Sequence, residues 1–337
     1  MTSGQSTKGA RVLVTGGCGY IGSHVVLALI DAGARPIVLD DLSNGDVRLL
    51  PAGVPFFQGN CGDPTVLARI AQDHGLDAVM HFAGKIIVPE SVDDPVKYYS
   101  SNTVNSLTLM EFAKNHHLKF LFSSTAAVYG EAGGASSIAE TEPTIPINPY
   151  GRSKLMTEWM LRDCSAAYGL RYGALRYFNV AGADPASRAG QVGKQVTHLI
   201  RVISQVALGI QPQLTIYGTD YPTPDGTCVR DYIHVSDLAD AHVLAIGALL
   251  GGSDSFTLNC GYGRGATVLE VVAAFESVTN RPIAKVLGPR RAGDPPALVA
   301  QSDKIRSVLH WQPRHDSLKT IVETALNWER KRWAQTE

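Results

Sequence analysis

The chain has 337 residues, 45% of them hydrophobic, and a formal net charge of −1. That much apolar material can bury a large core and suggests two lobes or one large α/β domain. Acids and bases are interspersed, which leaves no electrostatic footprint for nucleic acid or an anionic membrane as partner, and no run approaches the roughly 18 apolar residues that cross a bilayer. Cys18, Cys61, Cys164, Cys228 and Cys260 are odd in number, scattered and without metal-ligand spacing. They fit buried thiols in a reducing cytoplasm, with neither a disulfide frame nor a metal.

In chain order, Met1 to Gly9 is small and polar, lacks an apolar signal core and is expected to be a disordered lead-in. Arg11–Thr15 is a short β-branched apolar run and predicts a buried parallel strand. Gly16, Gly19 and Gly22 follow, ahead of an apolar helix from Ser23 to Ile30. Glycines so spaced allow a tight turn, close approach of a pyrophosphate and packing of helix on strand, and the free N–H groups of the helix start bind phosphate oxygens. Pro36–Leu39 predicts a second strand ending in Asp40, 18 residues past Gly22. A carboxylate there binds an adenosine ribose diol and repels a 2′-phosphate, which favours NAD over NADP.

Further strands are predicted over 54–57, 78–82, 120–123 and 172–176, separated by helices at about 64–74, 94–116 and 150–168. This alternation predicts an α/β fold with a Rossmann-like doubly wound parallel sheet. After Asn179 the alternation breaks, and loops rich in Gly, Pro and Asp at 183–195, 218–227 and 288–296 point to a smaller carboxy-terminal lobe. Asp231–Val235 reads as a return to the sheet. The expected division is therefore an NAD-binding domain over 10–180, with later return segments near 228–245, and a mainly substrate-binding lobe over 181–330.

Tyr150 and Lys154 stand four apart, on one face of the predicted helix at 150–168. An ammonium beside a phenol favours the phenolate, drawing its pKa from about 10 toward neutrality. Such a tyrosine can remove a hydroxyl proton while a cofactor takes the hydride. A core Tyr with a surface Lys is the plainer alternative. Thr125 falls just past a strand end, where open α/β sheets bind ligands; it can pass a proton to Tyr150 or simply cap its own backbone.

These stretches together resemble the extended short-chain dehydrogenase/reductase family, and within it the UDP-glucose 4-epimerases, over about residues 10 to 330. The markers are Thr15–Gly22, Asp40–Asn44, His81–Gly84, Phe122–Gly130, Tyr150–Lys154, Arg176–Asn179, Tyr217–Thr223 and Arg230–Val235. The last two are the most specific to nucleotide-sugar epimerases. The resemblance implies an NAD-dependent, homodimeric enzyme that interconverts UDP-glucose and UDP-galactose through a transient 4-keto sugar. Thr125, Tyr150 and Lys154 would be its catalytic residues, Lys154 also binding the nicotinamide ribose. Tyr20, Ile21, Asp40, Leu42, Ser43, Asn44, Phe82, Ala83, Gly84, Asn102, Ser123 and Phe178 would surround the dinucleotide. For the substrate, the resemblance puts Arg230, Arg291 and Asn179 on the diphosphate, Asp294 on the uridine ribose, and Thr215 and Tyr217 at the uracil. Val88, His198, Leu199 and Leu298 would line the sugar and uridine pocket.

The chain departs from the family pattern at four places. Lys85 stands one position early for its contact with the nicotinamide ribose. Gly59-Asn60-Cys61 replaces a Gly-Asp near the adenine, where Asn60 can accept through Oδ1. Thr197-His198 replaces an Asn-Asn pair, and Leu298 occupies the position that limits bulk around the sugar. Three other functions compete: an epimerase of another UDP-sugar, a 4,6-dehydratase and a non-catalytic NAD-binding protein. A dehydratase needs an acid and a base directly after Thr125, where this chain has Ala126 and Ala127. A non-catalytic binder has no need of Thr125, Tyr150 and Lys154 together. Arg230 beside Asp231 also reads as a plain ion pair.

Overall fold

The structure is a computed structural model that describes residues 7–131, 137–193, 197–291 and 294–334. Seven parallel strands form the central sheet: β1 (Arg11–Thr15), β2 (Arg35–Asp40), β3 (Phe56–Gln58), β4 (Ala78–His81), β5 (Lys119–Thr125), β6 (Tyr172–Tyr177) and β10 (Phe256–Cys260). Their spatial order is β3-β2-β1-β4-β5-β6-β10, all in parallel register. Alternate side chains feed two cores. Val12 and Val14 point to one face of the sheet and pack with α1 (Tyr20–Asp31) and α8 (Val235–Leu250). Leu13, Leu39 and Val79 point to the other, under α2 (Pro64–His74), α5 (Asn105–Asn115) and α6 (Pro149–Tyr168). Strands buried on both faces must read as continuous apolar runs, as these do.

The helix starts follow local chemistry. Asp63 caps α2 through Thr65 N, with Pro64 at its first position, and Asn148 caps α6 through Gly151 N, with Pro149 likewise. The helix predicted over 94–116 is interrupted. After α3 (Val88–Asp93), the segment runs as α4 (Pro95–Tyr98), a π-helical turn (Tyr99–Val104) and α5. Such a turn commonly marks a functional position, and here it carries Asn102.

Two further expectations are corrected. Residues 1–6 of the expected lead-in lie outside the described residues, but Thr7 is buried and Gly9 N–H donates to Gly33 O at 2.8 Å, so residues 7–9 are folded against the domain. Asp231–Val235 does not return to the main sheet. β9 (Val229–His234) is the centre of a second sheet with β7 (Asn179–Ala181), β11 (Gly265–Thr267) and β13 (Ala297–Leu298). What returns is α8, which packs against α1 and the main sheet, and then β10, whose pairing with β6 completes it. The remaining elements are α7 (Leu199–Ala207), β8 (Leu214–Tyr217) paired with β12 (Lys285–Gly288), α9 (Val268–Thr279), α10 (Asp303–Leu309) and α11 (Leu318–Trp333).

Candidate active site

The carboxyl ends of β1, β2, β4 and β5 open onto one crevice, on either side of the point where strand order reverses between β1 and β4. The glycine turn after β1 is tight by necessity. Gly16 has φ +74°, and a Cβ on Gly22 would lie 2.1 Å from Gly16 O. At Gly19 a Cβ would meet only Gly16 O, at 3.2 Å, which leaves the mouth of the turn open. No side chain caps the start of α1. Its first N–H groups therefore face the crevice as an anion site. Tyr20 Oη donates to Gly182 O at 2.6 Å and ties this turn to the loop after β7.

At the end of β2, Asp40 is buried and accepts from Cys18 N at 2.9 Å and Leu42 N at 2.8 Å, one bond per carboxylate oxygen. Burial pushes its carboxyl above the ordinary value, against the pull of those two N–H groups. Each oxygen keeps a second acceptor site for a ribose diol. Leu42 has φ +59°, turning the chain into Ser43 and Asn44. After β4, Phe82 N and Ala83 N donate to Thr15 O, and Asn102 clamps Lys85 by both backbone groups, Lys85 N–H to Oδ1 at 2.8 Å and Nδ2 to Lys85 O at 3.0 Å. Asn102 is fixed in turn by Ser153 Oγ at 3.0 Å, on the helix that carries Tyr150. An open turn, an uncapped helix and a carboxylate with lone pairs to spare fit a dinucleotide.

The catalytic candidates converge at the end of β5. Tyr150 is partly buried, and its phenol lies beside Thr125. Thr125 Oγ1 accepts from Ala127 N at 3.2 Å and so caps the turn after β5. Lys154 Nζ donates to Ser123 O at 3.0 Å and lies 4.9 Å from the Phe122 ring centre. Burial lowers the Lys154 ammonium to about 8. Burial raises the Tyr150 phenol, and the neighbouring Thr125 hydroxyl opposes it. The expected draw of Lys154 on the Tyr150 phenol is thus not what sets it here, because the ammonium is turned onto the Ser123 carbonyl. A Cβ on Gly84 would sit 3.6 Å from Lys154 Nζ and 2.9 Å from Asn102 Oδ1, so the gap at Gly84 opens directly onto the catalytic group.

Other candidates stand differently from their expected contacts. Asn60 Oδ1 accepts from Gly62 N at 2.8 Å, making a turn after β3, beside buried Cys61. Lys85 Nζ reaches Ser43 Oγ at 3.1 Å, across to the β2 loop. His198, before Leu199 at the start of α7, turns its ring to Gln191, and burial lowers its pKa. It lines a small pocket with Tyr20, Asn179, Leu199, Arg201 and Trp328. Arg230 does not pair with Asp231, whose carboxylate takes the Tyr262, Gly263 and Ala300 N–H groups. It binds Pro295 O at 2.8 Å and reaches Asp294 at 3.5 Å. The Arg291 guanidinium lies 3.9 Å over the Tyr217 ring, beside Thr215 on β8. Leu298 and buried Phe178 share a small apolar cluster with Ala126 and Leu155, and Val88 opens α3 half-exposed. Sequence reasoning missed the Ser153 support of Asn102 and the Tyr177 hydroxyl, which bonds Ser123 Oγ. Both lie on elements already singled out, Tyr177 inside Arg176–Asn179.

The profile of the NAD dependent epimerase/dehydratase family matches residues 12–261. A protein of Azospirillum brasilense called UDP-glucose 4-epimerase is 58% identical over 97% of this chain and 94% of its own length. The crystal structure of the Brucella ovis UDP-glucose 4-epimerase in complex with NAD superposes with a TM-score of 0.91 at 42% identity, covering 94% of this chain and 98% of that one. The Bifidobacterium longum UDP-glucose 4-epimerase in complex with NAD+ and UDP gives 0.89 at 36% identity, covering 95% and 98%.

Proposed function

From a chain that belongs to the NAD dependent epimerase/dehydratase family, we propose NAD-dependent 4-epimerisation, interconverting UDP-glucose and UDP-galactose. The observation that carries this reading is the convergence of Thr125, Tyr150 and Lys154, the last two on one helix face, at the mouth of a crevice that fits a dinucleotide. Bound NAD supplies the acceptor, and later the donor, of the sugar C4 hydride. The chain handles the proton. Thr125 hands the C4 hydroxyl proton to the Tyr150 phenolate, and the phenol so formed returns it after the sugar has presented its other face. Lys154, held by the Ser123 carbonyl, keeps a positive charge one helical turn from that phenolate. Tyr98 and Tyr177, both close to Tyr150, help to exclude water from it.

Asp40 takes the adenosine ribose, and Gly16, Gly19, Tyr20, Ile21 and Gly22 take the pyrophosphate. Arg230, Arg291 and Asn179 hold the UDP diphosphate, Asp294 the ribose, and Thr215 and Tyr217 the uracil. Val88, Leu199 and Leu298 shape the pocket without hydrogen bonds to the sugar, which leaves it free to turn. The Ala126-Ala127 pair, which offers no proton, argues against water loss from the same intermediate.

The reading includes a cytoplasmic homodimer. Its support is an apolar face on adjoining helical segments: Val92, Val96, Val104 and Leu107 are exposed between residues 92 and 107, and Trp159 is exposed on α6. All five cysteines are unpaired, as a reducing compartment requires. Sedimentation at micromolar concentration should give twice the chain mass. Incubation of the protein with UDP-galactose, UDP-GlcNAc and UDP-xylose, with separation of the products, tests the reaction. UDP-glucose should form from UDP-galactose, and Tyr150→Phe should slow this by roughly 10²–10⁴-fold while still binding UDP. No UDP-glucose from the wild type, or a Tyr150→Phe variant above a tenth of its rate, would overturn the reading.

A further inference from the structure

Helix α6 grips strand β5 at three successive rungs. Tyr150, Lys154 and Glu158 follow one another at intervals of four, along one face of the helix. Tyr150 lies beside Thr125, Lys154 donates to the Ser123 carbonyl, and Glu158 accepts a hydrogen bond from Ser124 Oγ. The first two rungs belong to the site described above. The third is buried, with Ser124 at 1% exposure and Glu158 and Arg176 at 7% each. Ser124 and Arg176 stand directly opposite each other in the parallel register of β5 and β6. Both therefore project from the same face of the sheet onto the one carboxylate, Arg176 through Nε at 2.9 Å and through Nη2. Arg176 Nη1 also donates to Tyr129 Oη at 2.9 Å, and Tyr129 donates to Asn259 Oδ1 on β10 at 2.7 Å.

A buried ion pair contributes little net stability, because desolvation offsets the attraction, but it demands one geometry. This one fixes α6 against two strands, two helical turns beyond Tyr150. We propose that the Glu158–Arg176 pair, acting through Ser124, is a positioning device for the proton transfer: it holds the height of α6 along β5 at which the Tyr150 hydroxyl stands beside that of Thr125. Without the rung, α6 keeps its apolar packing but gains freedom to slide, and misplacement by about 1 Å at a reacting group costs on the order of 10²-fold in rate. The neighbouring Thr125 hydroxyl is also what lowers the Tyr150 phenol against burial. The other groups facing that phenol are the hydroxyls of Tyr98 and Tyr177 and the Lys154 ammonium one turn along, all of which the change leaves in place.

The inference rests on the epimerase reading, and Ser124→Ala tests it, since that change leaves the ion pair intact. Glu158→Gln, which removes the charge, is the second variant. Expected for both is a kcat lowered roughly 10- to 100-fold, with the KM for UDP-galactose and the Kd for NAD within twofold of wild type. The acidic limb of the kcat profile should move to higher pH. An unchanged kcat and limb in a folded Ser124→Ala protein would overturn the proposal, whatever happens to its melting temperature. So would a loss of kcat matched by equal losses in NAD and UDP binding, which would mean general loosening. If Glu158→Gln does not fold, Ser124→Ala alone decides. A wild type that does not turn over UDP-galactose would instead count against the reaction assignment.

Discussion

Replacing Gly22 by alanine adds a single methyl group, yet the surroundings leave no room for it. The new Cβ would stand 2.1 Å from Gly16 O, 2.8 Å from Gly17 Cα and 2.9 Å from Gly16 C, all backbone atoms that cannot rotate aside. Ordinary carbon–oxygen contact needs a further ångström or so. Either the glycine turn lifts off α1 or α1 withdraws from β1. Overpacking of this kind typically costs about 1–3 kcal/mol. Without cofactor, the turn at Gly16 and Gly17 is free to give way, and part of that cost is relieved. With cofactor, the same turn must close on a pyrophosphate, so most of the cost falls on binding. The expected result is a loss of NAD affinity of roughly 5- to 150-fold, the equivalent of 1–3 kcal/mol. The melting temperature of the cofactor-free protein should fall by only a few degrees. Titration of stripped protein with NAD, followed by intrinsic fluorescence, gives the first quantity, and thermal melts with and without NAD give the second. A variant that binds NAD within twofold of wild type would refute the claim that close packing of helix on turn forms the pyrophosphate site.

Three further changes address separate groups. Asp40→Ala should weaken NAD and narrow the gap to NADP, since the carboxylate both accepts from a ribose diol and repels a phosphate; parallel binding titrations with the two cofactors check this. Lys154→Met should alter how stability depends on pH. Burial lowers the ammonium from 10.5 to about 8, so the folded protein carries fewer protons than the unfolded chain between those values, and wild-type stability gains from this group as pH rises through that window. Denaturant melts at pH 7, 8, 9 and 10 should show the stability difference between wild type and variant changing across that range, and a constant difference would put Lys154 in solvent. Leu298→Gly should raise turnover of UDP-GlcNAc relative to UDP-glucose if Leu298 lines the sugar pocket as proposed, since its removal makes room for an acetamido group. A few methylene groups of pocket shape are worth about 1–3 kcal/mol, so the wild-type preference for the hexose should be partial, and equal kcat/KM values would remove Leu298 from specificity.

The nucleotide half of the molecule was readable because its constraints are local. Arg11–Thr15, the glycine turn and Asp40 each declare themselves by residue type at fixed spacing, and the strand and helix fall where those residues put them. Tyr150 and Lys154 were readable because helical periodicity alone brings them to one face. What escaped depended on pairing between distant segments. Nothing near Phe256–Cys260 announces that it will complete a sheet begun at Arg11, and Asp231–His234, which reads equally well as a strand of that sheet, lies in another. The interruption at Tyr99–Val104 was hidden because it contains no Gly or Pro and runs between helical segments; the extra residue per turn becomes visible only with Asn102 clamped to Lys85 and Ser153. The Tyr150 phenol was read from its neighbour in sequence, whereas burial, a property of the whole fold, acts on it more strongly.

The late arrival of β10 has a consequence for synthesis. The open edge of β6 has no partner until Phe256 has been made, about 80 residues after Tyr177, which at 5–20 residues per second is roughly 4–16 s on the ribosome. During that interval six strands can already be paired, while the backbone of Tyr172–Tyr177 presents free N–H and C=O groups to any extended chain nearby. A nascent chain stalled between the two strands is therefore the species most open to mispairing. Slow codons in that stretch would lengthen its exposure.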